Sequence, residues 1–367
     1  MFLKKQAAVL SLLVVVALLT PGAIATCSAQ SACHDVNGDG VIDTVDVQQV
    51  AAHVTHPVYN PSFDVNDDGH VDLLDLASVG SAWHTQQGLC TPISGPASWL
   101  AVSSWVYQLT AYQNNQLDQI AGSNFQLAVV DLARDGSSEF FTAAEIAAVQ
   151  ATGKIVLAYF EIGAIENYRP EWPLVPPDLM LGPVHGWPGE QYVKYWDPRW
   201  WPIVRGRVDQ AIAAGFNGAY LDMIVTYEEI PANAAGTNRA DLASKMVDLI
   251  EQTSDYAKSI DPDFRIVPQN APELYTWPKY LPAIDGLGME ELYYLATDQP
   301  CSYSWCLTNR ANAAAVGAAG KLVLTVDYAN QSASIADAYT SSRTAGFVPY
   351  CSVVDLDVMR VNPGWDP

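Results

Sequence analysis

From residue 99 onward the chain repeats one rhythm: a short, wholly apolar run, then a longer stretch with apolar residues every third or fourth position. Uninterrupted apolar runs of this length predict strands buried on both faces, and the 3.6-residue period predicts helices packed over them. The strands fall at 105–109, 127–131, 155–160, 218–222, 265–269, 284–290, 322–326 and 346–350. Helical patterns fall between them at 141–151, 200–214, 240–260, 309–319 and 332–345. Eight such alternations over roughly 270 residues predict an α/β fold, a (β/α)8 TIM barrel. An open doubly wound sheet is the alternative, but no glycine-rich nucleotide loop follows the first strand.

The pattern before residue 99 is different. Lys4 and Lys5 precede an apolar run, and Ala23-Ile24-Ala25 offers small residues for cleavage, which predicts a secretory signal peptide over 1–26. Lipid attachment at Cys27 stays open. No later apolar run is long enough to span a bilayer. Residues 89–98, containing "TPISGPAS", are rich in Pro, Ser and Gly and read as a linker. The barrel segment then covers 99–367.

Between the signal and the linker, residues 31–88 hold two near-copies, "DVNGDGVIDTVD" and "DVNDDGHVDLLD", 29 residues apart. Calcium takes six to eight oxygen ligands from a loop with carboxylates or amides at alternate positions and a glycine at the sharp turn. The first copy offers Asp35, Asn37, Asp39, the Val41 carbonyl, Asp43 and Asp46 around Gly40. The second offers Asp64, Asn66, Asp68, the His70 carbonyl, Asp72 and Asp75 around Gly69. Each loop leads into a helical apolar pattern, Val45/Val47/Val50/Val54 and Leu73/Leu74/Leu76/Val79. Two duplicated loop-helix units with Asp at position 12 resemble the dockerin module of secreted glycan-degrading enzymes. The resemblance implies a small all-α domain folded around two structural Ca2+ ions, and a cohesin-type scaffold as partner. The residues at positions 10 and 11, Thr44-Val45 and Leu73-Leu74, differ between the copies, so the partner type stays open.

Composition narrows the partners. There are 40 Asp and Glu against 18 Lys and Arg, a net charge of −22, and no Lys or Arg at all between Lys5 and Arg134. Nucleic acids and anionic membranes need basic patches, so both are excluded as partners. Six cysteines in an exported chain are candidate disulfides. Cys33 and Cys90 bracket the repeats, Cys301 and Cys306 are close enough for a local bridge, and Cys27 and Cys351 are left over.

In a barrel the chemistry lies at the C-terminal ends of the strands. Here those ends carry Asp131, Glu161, Asp222, Asn270, Glu290, Glu291 and Asp327. So many carboxylates would be costly in a dry interior. Two of them on nonadjacent strands meet the need of glycoside hydrolysis for one protonated acid and one base or nucleophile. Asp222 and Glu290 are the first choice, and Glu291 competes with Glu290. The chain also has 11 Trp and 18 Tyr, and several near loops, Tyr107 and Tyr168 among them, suit stacking on sugar rings.

A set of ordered blocks carries a second resemblance. "WVYQL" at Trp105, "VVDL" at Val129, "AYFEIGAIENYR" at Ala158, "VKYWDPRW" at Val193, "GFNGAYLD" at Gly215, "VPQNAPEL" at Val267 and "MEELYY" at Met289 are together similar to glycoside hydrolase family 114. That resemblance implies a secreted endo-acting hydrolase of an α-1,4-linked galactosamine polymer. It implies Asp222 as nucleophile and Glu290 as acid/base of a retaining mechanism, with Asp131, Glu166, Tyr168 and Arg169 lining the cleft. The chain departs from the family at Asn217, where Asp is common, at Glu161, where a small polar residue is usual, and at Met223-Ile224-Val225. The substrate is therefore less firmly indicated than the reaction. The alternatives are a hydrolase of an uncharged α-glycan, or a non-catalytic glycan-binding and docking protein.

Overall fold

In the computed structural model the described residues are 99–367 except position 237, together with nine earlier positions. The chain divides into two compact units, Met1–Pro92 and Ile93–Pro367. In the first, Val47, Gln48, Val50, Ala51, Asp75, Leu76 and Val79 are helical, and Val50 and Val79 are fully buried. These are apolar positions of the two predicted helical patterns. Of the twelve expected calcium ligands only Asp75 is described, and it is buried in a helical segment. Asp35, Asn37, Asp39, Val41, Asp43, Asp46, Asp64, Asn66, Asp68, His70 and Asp72 lie outside the described residues. So do Cys27, Cys33 and Cys90.

The second unit is the expected barrel. Its strands are β1 (Trp105–Tyr107), β2 (Leu127–Asp131), β3 (Ile155–Glu161), β7 (Gly218–Asp222), β8 (Arg265–Pro268), β9 (Gly286–Glu290), β12 (Leu322–Tyr328) and β13 (Val348–Ser352). Parallel ladders run β1-β2-β3-β7-β8 and β9-β12-β13. A parallel bridge between Gln269 and Gly288 joins β8 to β9. The circle closes where the Trp105 indole donates to the Val348 carbonyl at 2.9 Å, its ring 5.9 Å from that of Tyr350. Helices α1 (Ala143–Gln150), α2 (Trp201–Ala213), α3 (Arg239–Ile260), α4 (Ser304–Ala318) and α5 (Ser332–Thr344) occupy the predicted places, except that α4 starts at Ser304 rather than at 309. Thr142 and Glu145 form the capping box that starts α1.

Bulky rings fill the barrel. Trp105, Tyr107 and Tyr220 pack with centroids 5.2 to 6.2 Å apart. Gly288 makes room for them, since a Cβ there would sit 1.9 Å from the Tyr220 hydroxyl. Gly163 answers a second close approach, because its Cβ would fall 2.0 Å from the Met223 carbonyl, in the turn directly after Asp222.

The connection after β3 differs from the simple alternation. It carries an antiparallel sheet of β4 (Ala164–Glu166), β5 (Met180–Val184) and β6 (Trp187–Val193), in the order β4-β6-β5. Gly182, Pro183, Pro188 and Gly189 interrupt both periodicities there, so the sequence pattern gives no strand signal. A hairpin of β10 (Tyr294–Leu295) and β11 (Gln299–Pro300) likewise follows β9.

Candidate active site

The parallel strands deliver their last residues to one rim. Asp222 ends β7, and its Oδ1 accepts the Met223 N–H at 2.6 Å while its Oδ2 accepts the Tyr159 hydroxyl at 2.8 Å. Met223 has a left-handed φ of 58°, an uncommon conformation for a side chain of its size. Burial pushes the Asp222 carboxyl up to about 6, and those two donors oppose the rise.

Glu290 ends β9, with β8 between it and β7. Its Oε1 accepts the Tyr328 hydroxyl, and its Oε2 accepts the Gln269 side-chain amide at 3.0 Å. Gln269 is in turn fixed by the Tyr107 hydroxyl, which donates to its Oε1 at 3.0 Å. Asn270 accepts the Glu290 backbone N–H at 3.0 Å, which fixes the strand end. Burial and the nearby Asp222 charge push the Glu290 carboxyl up to about 7, and the Tyr328 donor opposes them. Glu291 takes another course: its φ is 55°, and its Oε1 accepts the Ala296 N–H at 2.5 Å across the following loop. Glu290 thus joins the network of Tyr328, Gln269 and Asn270, whereas Glu291 is held by the loop that follows.

The remaining expected residues fall into two groups. Arg169 grips Asp131 with two parallel bonds of 2.8 Å and reaches Glu166 Oε1 at 2.6 Å. Tyr168 also donates to Glu166 Oε1, at 3.2 Å, while its ring stays half exposed. This fork ties the β4-β6-β5 insertion to the end of β2. Burial raises Asp131 against the pull of Arg169, whereas in Glu166 burial is outweighed by the charge and hydrogen bonds of Arg169 together with the Arg207 charge, which lower the carboxyl. Asp327 anchors instead of facing the rim, its Oδ1 accepting the N–H groups of Tyr293 and Tyr294 at 2.7 and 2.9 Å. Tyr107 is wholly buried in the barrel beneath Gln269.

Glu161, the departure noted above, lies beside Asp222 in the β3–β7 register. It is coupled to Glu190 of β6, and Glu161 Oε2 and Glu190 Oε1 are both buried with no hydrogen-bond donor among the described residues. Burial, with Glu166 and Glu190 close by, pushes Glu161 well above the carboxylate range. Burial and the Asp222 and Glu166 charges push Glu190 up to about 8. Glu190 has no sequence signal, because it sits in the insertion that the periodicity does not reveal. Tyr159, Gln269 and Tyr328 lie at or beside strand ends, where alternation along each strand locates polar atoms on the inner face.

Two buried carboxyls on nonadjacent strand ends of a (β/α)8 barrel, both raised by burial, are the kind of pair that glycoside hydrolysis uses. The chain belongs to glycoside-hydrolase family GH114, whose profile matches residues 90–364, and residues 33–82 match the dockerin type I domain. An uncharacterised protein of Deinococcus radiodurans is 35% identical over 276 residues, covering 74% of this chain and 87% of that protein. One from Thermotoga maritima is 30% identical over 295 residues, 76% of this chain and 90% of that protein. Among solved structures, Aspergillus fumigatus Ega3 in complex with galactosamine aligns with a TM-score of 0.56 at 17% identity, over 72% of this chain and 97% of that one. The glycoside hydrolase domain of PelA from Pseudomonas aeruginosa aligns with a TM-score of 0.56 at 14% identity, over 70% and 96%. These two likenesses establish the fold. The chain is thus a glycoside hydrolase with a dockerin.

Proposed function

We propose that the protein is a secreted, endo-acting hydrolase of an α-1,4-linked galactosamine polymer, with Asp222 as nucleophile and Glu290 as general acid and base of a retaining reaction. The observation that carries this reading is geometric: Asp222 and Glu290 end nonadjacent barrel strands, each accepts a tyrosine hydroxyl, and burial raises both carboxyls, to about 6 and about 7. Asp222 attacks the anomeric carbon while Glu290 donates its proton to the departing glycosidic oxygen. Water then enters, Glu290 takes a proton from it, and the glycosyl–Asp222 bond breaks. Tyr159 and Tyr328 hold the two carboxylates in place by their hydroxyl donors.

The substrate class is supported by charge. A deacetylated galactosamine polymer is cationic, and Asp222 and Glu166 set a negative potential beside the rim. The galactosamine bound by Ega3 points to the same sugar. Asp131, Glu161, Tyr168, Arg169 and Asn270 then shape the cleft, directly or by holding their neighbours. Residues 1–26 direct export, 31–88 form the docking module, and 89–98 join it to the barrel at 99–367. Dockerin type I domains bind calcium, and the alternating carboxylates and amides of the two loops suit two such ions, one per loop. The module then attaches the enzyme to a cohesin-type scaffold.

Incubation with partially deacetylated galactosaminogalactan tests the reading. The wild type releases reducing ends, while Asp222→Asn and Glu290→Gln each lose about a thousandfold or more in kcat. Equal release by all three would sink the assignment.

A further inference from the structure

The loop that leaves β9 after Glu290 carries an unusual surface. Tyr303 and Trp305 are 60% and 48% exposed, although both are large and aromatic. Their rings are parallel to within 6°, with centroids 6.0 Å apart. Rings in direct face contact would be about 3.5–4 Å apart. The pair is therefore slipped sideways, and each ring keeps an open face.

The step they form is rigid. A disulfide joins Cys301 to Cys306 across both residues. Arg310 donates to the Leu292 and Cys301 carbonyls at 3.0 and 2.7 Å, and its guanidinium lies over the Tyr293 ring. The start of the loop is pinned to β12 by the two N–H bonds to Asp327, and Asp298 accepts the N–H groups of Asn330 and Gln331 beyond it. The loop is thus rooted at the strand end that holds Glu290 and locked to the next connection. Around the rings, "CSYSWCLTN" contains hydroxyls and an amide and no charged residue.

We infer that Tyr303 and Trp305 form a stacking step for a glycan chain extending out of the cleft, a subsite remote from the bond that is cut. A slipped parallel pair offers successive aromatic faces to successive pyranose rings, whose axial C–H groups pack on π-faces while their hydroxyls meet Ser302, Ser304 and Asn309. Leu307 is also exposed beside them, and the rest of the rim, Ser302, Ser304, Thr308 and Asn309, is neutral and bears hydroxyls and an amide, which suits a sugar. The step rests on the glycoside hydrolase reading but does not depend on which glycan is cut.

The test uses the full chain carrying Asp222→Asn, so that the polymer survives, in native gels cast with partially deacetylated galactosaminogalactan, chitosan or a soluble α-glucan. The expected result is retardation in at least one gel, and adding Tyr303→Ala and Trp305→Ala weakens the apparent affinity about tenfold. Unchanged retardation on adding both substitutions overturns the inference, and so does an absence of retardation in all three gels. Hydrolysis by the wild type, run in parallel, keeps the two readings apart. Retardation by the α-glucan alone would uphold the step while removing the amino-sugar assignment. Cleavage of galactosaminogalactan without retardation would do the reverse.

Discussion

Each of the two central carboxylates accepts a hydrogen bond from one tyrosine hydroxyl, and these bonds act on its proton affinity in a known direction. Tyr328 favours the ionised form of Glu290, and Tyr159 that of Asp222. The proposed reaction needs Asp222 charged and Glu290 protonated. A plot of kcat/KM against pH should therefore be bell-shaped, falling below about 6 as Asp222 takes a proton and above about 7 as Glu290 loses one. The two limbs belong to the coupled pair. Tyr328→Phe removes a donor from Glu290, so the alkaline limb should move upward while the acid limb stays. Movement of the acid limb alone would mean that the roles are exchanged.

At the scale of elements, the insertion after β3 brings Glu190 against Glu161. Its effect on stability has a definite sign. In the unfolded chain Glu190 ionises near its ordinary 4.5, and in the fold only at about 8. Between those values the folded state holds a proton that the unfolded state has lost, so stability falls as pH rises through the window. Glu190→Gln should then raise the melting temperature of the barrel at pH 8 by about 2–4 °C, and by less at pH 5. Calorimetry at the two pH values checks this, and an equal shift at both would remove the pair as its cause.

The same elements mark how far the sequence could be read. The eight barrel strands are legible because a strand buried on both faces needs an unbroken apolar run, and 127–131 or 322–328 can be little else. Asp222 and Glu290 are legible because each ends such a run abruptly. The insertion is not, since an antiparallel ribbon at the rim, with Gly182 and Gly189 in its strands, obeys neither period. Glu190, and with it the buried pair it makes with Glu161, is therefore beyond reach of pattern. Tyr303 and Trp305 lie where the sequence places the start of a helix later, at 309. The helix begins at Ser304, and the disulfide sets the rings at its head.

For the whole molecule, the two units carry different dependencies. The two acidic loops lie in the first, and the carboxylate pair lies in the second. Calorimetric melting of the full chain should show a lower transition that moves upward with calcium and falls with a chelator, while the barrel transition stays in place. Hydrolysis should persist in the chelator. A lower transition indifferent to calcium would refute the structural role of the ions.

Gln269 has one further consequence. It stands between the strands of Asp222 and Glu290, and its amide is oriented by Tyr107 so that an N–H meets Glu290. A primary amide neither takes up nor releases a proton in the working range. Gln269 thus gives Glu290 a neighbour whose charge stays fixed across that range. A glutamate at that position would fill nearly the same volume, yet it would set a second carboxyl against Glu290 and compete for its proton. Shape alone would not show what had been lost.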